Sequence, residues 1–111
     1  MKHEMKLNTE PFMNFKFGTK RIEMRLNDEK RQLVKIGDTI EFTNRDTGEK
    51  LEARVVKLYH FTSFEELYDY FDKKILGYKE DEYADPNDMN QYYPEEEIKK
   101  YGVLGIEVTL I

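Results

Sequence analysis

The chain has 111 residues, a formal net charge of −5, 37% charged residues and no cysteine. That length holds a single core and a single domain, 1–111, and leaves no room for a second. Without cysteine there is no disulfide, thiol nucleophile or thiolate metal site, and the 7 Phe and 8 Tyr set the composition apart from that of disordered chains.

The opening MKHEMKLNTEPF lacks the apolar centre of a signal peptide, and no run approaches the ~20 apolar residues that span a bilayer. The expectation is a cytoplasmic protein that avoids membranes. Charge is unevenly spread. Residues 1–60 carry 13 basic and 10 acidic side chains, whereas 61–111 carry 5 and 13. Duplex nucleic acid meets net repulsion, but a basic patch from the first half can still draw in a phosphate or a short single strand.

In chain order, Asn8 or Thr9 can cap a helix over 9–17, with Pro11 tolerated in its first turn. Phe12 and Phe15, three apart, face the core together, and Gly18 is suited to ending the helix. His3 falls near a mobile terminus. Ile22, Met24 and Leu26 then alternate with Arg21, Glu23 and Arg25 in a strand. Gly37 and Asp38 turn the chain into a second strand in which Ile40 and Phe42 alternate with Thr39, Glu41 and Thr43. Asn44-Arg45-Asp46-Thr47-Gly48 reads as a hairpin, and a return strand follows over 50–59, its alternation broken at Val55-Val56 as by a bulge.

Ser63-Phe64-Glu65-Glu66 is a capping box. Phe64, Leu67, Tyr68 and Phe71 give the helix behind it an apolar stripe, with Phe64, Leu67 and Phe71 expected in the core. Residues 77–93 are acidic, rich in tyrosine and irregular. Pro94 opens a short acidic helix that Gly102 ends, and a final strand covers 103–111.

The densest candidate for chemistry is Gly18-Thr19-Lys20-Arg21-Ile22-Glu23-Met24-Arg25. Two-residue spacing sends Glu23 and Arg25 to one side, and Lys20 joins them from the bend, as an exposed lysine at a cleft mouth. Such a row is either a solvated face or the lining of a polar pocket. Tyr92 and Tyr93 can stack on a base or pack as rim residues. His60 reads as structural or pocket-lining. The spacing of His, Asp and Glu specifies no metal site.

This stretch resembles the G-x-K-x-x-E-x-R signature of the ASCH domain family, with Gly18, Lys20, Glu23 and Arg25 on its fixed positions. Pro11-Phe12 ahead of it, Lys35-Ile36-Gly37-Asp38 after it, the Phe64–Phe71 stripe and the ending Tyr101-Gly102-Val103-Leu104-Gly105-Ile106-Glu107 resemble the family in the same order. The resemblance implies an α+β fold: a PUA-like β-barrel of about five to six mostly antiparallel strands with flanking short helices. Gly18, Gly37 and Asp38 would be structural. Lys20, Glu23, Arg25, Tyr92 and Tyr93 would bind single-stranded RNA, a nucleotide or a modified nucleoside, with no cofactor and no metal.

One family branch removes acetate from N4-acetylcytidine with a lysine, a threonine and a glutamate. Lys20 matches the lysine and Glu23 stands in place of the threonine, so these two would be the catalytic residues of an amidohydrolase. Glu65, Glu66 and Glu82 are candidates for the glutamate. A lysine beside a carboxylate stays protonated unless the site is unusually dry. The third alternative is a protein-interaction domain whose acidic second half meets a basic partner.

Overall fold

The computed structural model describes residues 1–111. The period-two stretches become strands and the period-three-to-four stretches become short helices. In order they are β1 (Lys2–Leu7), α1 (Thr9–Lys16), β2 (Ile22–Leu26), β3 (Thr39–Asn44), β4 (Lys50–Phe61), α2 (Phe64–Tyr70), α3 (Glu95–Tyr101) and β5 (Val103–Leu110). Short 3₁₀ turns lie at Arg31–Leu33 and Pro86–Gln91. No helix is long and apolar enough to cross a membrane.

The five strands form one curled sheet, a half-barrel, in the order β1-β3-β4-β5-β2. All pairs are antiparallel except β1 with β3. The strands flanking α1 therefore lie at opposite edges of the sheet. The register of β4 against β5 shifts between Val55 and Lys57, leaving Val56 as the bulge that the broken alternation marks.

Buried side chains form two groups, and β5 contributes to both, Leu104, Ile106 and Val108 to the first and Val103 to the second. In the first, Phe12 and Phe15 of α1 reach Phe42 and Ile40 of β3, with the Phe15 and Phe42 rings stacked 4.7 Å apart. In the second, Ile22, Met24 and Leu26 of β2 pack with Phe64 and Leu67 of α2 and with Ile98 of α3. The Ser63 hydroxyl accepts from the Glu66 N–H at 3.2 Å, which starts α2 as the capping box requires. The Glu66 carboxylate takes the Thr62 hydroxyl instead of closing back on Ser63.

Two expectations are corrected. Residues 2–7 are an ordered edge strand, not a mobile terminus: only Met5 and Leu7 of β1 face inward, too few to announce a strand. His3 Nε2 lies 2.8 Å from Asp38 Oδ2, and that carboxylate also accepts from the Met1 ammonium and the Lys35 N–H. Asp38 thus ties the N-terminus to the Gly37 turn, where Gly37 takes φ +93°. The second correction concerns Phe71. Helix α2 ends at Tyr70, so Phe71 leaves the helical stripe and sits half-buried against Tyr59, Phe61 and Tyr70.

Candidate ligand-binding cleft

Helix α1 ends at Lys16, with Phe17 as its C-cap, and Gly18, at φ +82°, reverses the chain toward β2. Four contacts then hold the entry to β2. The Asn14 carbonyl accepts from the Thr19 and Lys20 N–H groups, and the Ile75 carbonyl accepts from those of Arg21 and Ile22. The stem of Lys20 turns inward from this bend, its Nζ 5.4 Å from the centre of the Phe15 ring. Nζ donates to the Leu76 carbonyl at 3.0 Å and lies 3.6 Å from Glu23 Oε1.

Lys20 is therefore 5% exposed, and the expectation of an exposed lysine is corrected. The 75–77 segment covers the bend, through contacts too far along the chain to be read from local pattern. Glu23 is also 5% exposed, because β2 is covered on both sides. Its Oε1 accepts from the Met24 N–H at 3.1 Å, while Arg25 reaches Oε2 through Nε at 2.9 Å and Nη2 at 2.8 Å. A buried carboxylate with two charged partners and a backbone donor is fully compensated, as burial of charge demands.

The electrostatics follow from this packing. Burial holds the Lys20 ammonium below the usual lysine range, against the pull of Glu23, and nearby Arg25 adds to the depression. Burial pushes the Glu23 carboxyl up, but Arg25 and Lys20 outweigh it and keep it ionised below the ordinary carboxylate range. For Arg25, burial opposes the charge, yet Glu23 and the Tyr93 hydroxyl raise its pKa overall. Two cations and one anion leave a single positive surplus on the cleft floor.

The cleft above this floor encloses about 660 Å³. It opens at the seam of the half-barrel, where Arg25 Nη2 on β2 donates to the Lys6 carbonyl on β1 at 3.1 Å. Lys6, Arg31 and Arg45 add positive charge to its lining, and Glu82 and Asp88 bring negative charge from the long loop. Tyr68, Tyr78, Tyr92 and Tyr93 form its aromatic side. Gly77, at φ +106°, allows the loop to pass so close that a Cβ there would lie 3.2 Å from the Lys20 stem.

An ASCH domain model matches residues 5–111. The chain belongs to the ASCH domain family. Among solved structures, the hypothetical protein PH0355 is 36% identical over the whole of both chains, with a TM-score of 0.83. Protein PF0455 from Pyrococcus furiosus is 34% identical, covering 100% of this chain and 98% of its own, with a TM-score of 0.72. A variant of ZmASCH from Zymomonas mobilis shares the fold at 12% identity and a TM-score of 0.61, covering 97% of this chain and 67% of its own. Comparison with curated proteins finds no match.

In this ASCH domain the signature residues Lys20, Glu23 and Arg25 form one cluster, while Gly18 sits outside as the turn that permits it. Tyr92 is exposed at the rim, and Tyr93 is half-buried, stacked on Phe64 at 5.9 Å. Of the three candidate glutamates, Glu82 reaches the cleft, whereas Glu65 and Glu66 are exposed on α2 and lie outside it. His60 is exposed on β4, in neither core nor cleft. Lys6, Arg45, Tyr68, Tyr78 and Asp88 carry no signal of their own in the sequence. The tyrosine-rich composition of 77–93 is the one hint that the loop belongs to the site.

Proposed function

We propose that this ASCH domain binds RNA or a nucleotide in the cleft floored by Lys20, Glu23 and Arg25. The observation that carries the reading is a positive surplus, buried and held in place, in a protein of net charge −5. Arg25 is committed to Glu23 and to the Lys6 carbonyl through Nε and Nη2, and a ligand oxygen would meet the rest of its guanidinium beside the Tyr93 hydroxyl. Lys20 offers its remaining donor to a sugar or base oxygen. Lys6 and Arg45, which make no ion pair, are better placed to meet phosphate along the rim. Exposed Tyr92 supplies a face on which a base can stack.

The test is a fluorescence titration with short single-stranded RNA at two salt concentrations. Binding that weakens with salt, and weakens less steeply in a Lys6→Ala/Arg45→Ala variant, supports the reading; each lost phosphate contact lowers the slope by about 0.7. Salt-independent binding, or none, removes it.

A second reading, hydrolysis of an acylated nucleoside such as N4-acetylcytidine, is favoured by one observation. Burial destabilises the Lys20 ammonium, so its amine is more easily neutral and able to take a proton from water. Glu82 would position that water. Incubation with N4-acetylcytidine tests this directly, and absence of acetate release from folded protein excludes it.

A further inference from the structure

Three polar groups on the aromatic side of the cleft are joined in series. The Tyr78 hydroxyl donates to Asp88 Oδ2 at 2.9 Å, and the Tyr68 and Tyr78 oxygens are 2.8 Å apart. The two rings meet edge to face, 5.8 Å between centres, so packing as well as hydrogen bonding sets the pair. All three residues line the cleft, and Tyr78 follows Gly77, whose missing side chain leaves room for the Lys20 stem. The chain therefore hangs beside the polar floor.

Its direction is fixed by valence. A carboxylate only accepts, so the single Tyr78 proton lies on the bond to Asp88. The 2.8 Å contact must then be made with the Tyr68 proton, donated to the Tyr78 oxygen. With that proton committed, the Tyr68 oxygen has only lone pairs to offer a ligand. Burial in the first place, with the Asp88 carboxylate beside it, holds the Tyr78 proton far above the usual phenol range, and burial raises Tyr68 as well. The series keeps its protons, and hence its direction, across the neutral range.

We infer that the Tyr68–Tyr78–Asp88 series makes this wall of the cleft a hydrogen-bond acceptor that selects an amino-bearing base, of the cytosine kind, over a keto base such as uracil. The inference rests on the nucleotide-binding reading and deepens it by naming the base chemistry. A ligand amino group meets the Tyr68 lone pairs. A carbonyl in its place meets oxygen against oxygen and leaves a buried acceptor unpaired. A free nucleotide and an RNA strand both present this edge.

The test compares CMP with UMP, and pentacytidylate with pentauridylate, by calorimetric titration of the intact protein and of Tyr78→Phe and Tyr68→Phe. The expected result is a preference for the cytosine ligand of roughly tenfold, the worth of one well-placed polar contact to a base edge. A preference among the monophosphates identifies a free nucleotide as the source, and one confined to the pentamers identifies a strand; either supports the inference. Tyr78→Phe frees the Tyr68 proton to donate, so the preference should vanish or reverse. Tyr68→Phe should abolish it. Because the readout is a ratio within one protein, partial loss of folded material does not imitate the effect. Equal binding of both bases, or a ratio unchanged by Tyr78→Phe, overturns the inference and leaves nucleotide binding standing. No binding of any of the four ligands overturns both.

Discussion

Arg25 holds Glu23 through two nitrogens, Nε at 2.9 Å and Nη2 at 2.8 Å, both on Oε2. The other carboxylate oxygen is thereby left to Lys20 and the Met24 N–H. Glu23 is thus the joint between a lysine at the chain bend and an arginine that spans to the opposite sheet edge. It organises both cations and is shielded by them.

Removing that joint should be costly. Glu23→Ala leaves Lys20 and Arg25 near one another without their shared counter-charge, and the expected loss is about 3–5 kcal/mol. Urea unfolding measures it. A loss under about 1 kcal/mol would mean that water reaches the cluster and that its burial is not sustained in solution.

The same cluster gives stability a dependence on pH. The folded Lys20 pKa is depressed below 10.5, so the unfolded chain binds more protons there as pH approaches that value. Stability from this group should rise with pH through the window just below 10.5. Lys20→Met should remove that rise, and also weaken ligand binding. Thermal melts of both proteins between pH 8 and 10.5, as an alkaline series of about five points, check it; an identical pH dependence would disprove a destabilised ammonium.

At the acid end the relevant pair is Asp38 with His3. The His3 ring, then the Lys35 N–H, hold the Asp38 carboxyl at about 2, below its ordinary 3.8. Its contribution is complete above 3.8 and lost as pH falls through about 2. Asp38→Asn should therefore flatten the acid limb of stability in that window and loosen β1, seen as faster amide exchange at 2–7. Unchanged exchange there would show that sheet pairing alone holds the edge strand.

Gly77 offers a test of the loop's approach to Lys20. A Cβ at this position would press on the Lys20 stem at 3.2 Å and strain a backbone at φ +106°. Gly77→Ala should cost about 1 kcal/mol or more and impair binding, whereas Gly48→Ala, with nothing within 4 Å, should cost only its backbone strain. Equal effects on binding would separate the loop from the site.

Core packing orders a last pair of variants. Leu67 is fully enclosed, so Leu67→Ala should lose about 2–5 kcal/mol. Phe71 is half-buried beyond the helix end, and Phe71→Ala should lose less despite the larger side chain. A greater loss at Phe71 would place it in the core after all.

Local pattern was sufficient for the strands at 22–26 and 39–44, for 50–59 of the strand that runs to Phe61, for the cap at Ser63 and for the turns at Gly18 and Gly37, since each depends on neighbours within a few residues. It also brought Lys20, Glu23 and Arg25 together, because two-residue spacing and one bend are local facts. Burial of those charges was decided by the tertiary structure, which covers Lys20 with Leu76 and Gly77, more than fifty positions away, and brings Lys6 and Tyr93 to Arg25. The edge strand β1 was equally illegible: two inward residues give no period, and its partner β3 begins at residue 39. The Tyr68–Tyr78–Asp88 series is the furthest case. Tyr68 reads as one more apolar-stripe residue and the loop as irregular, and only folding turns three ordinary side chains into a directed chain of protons.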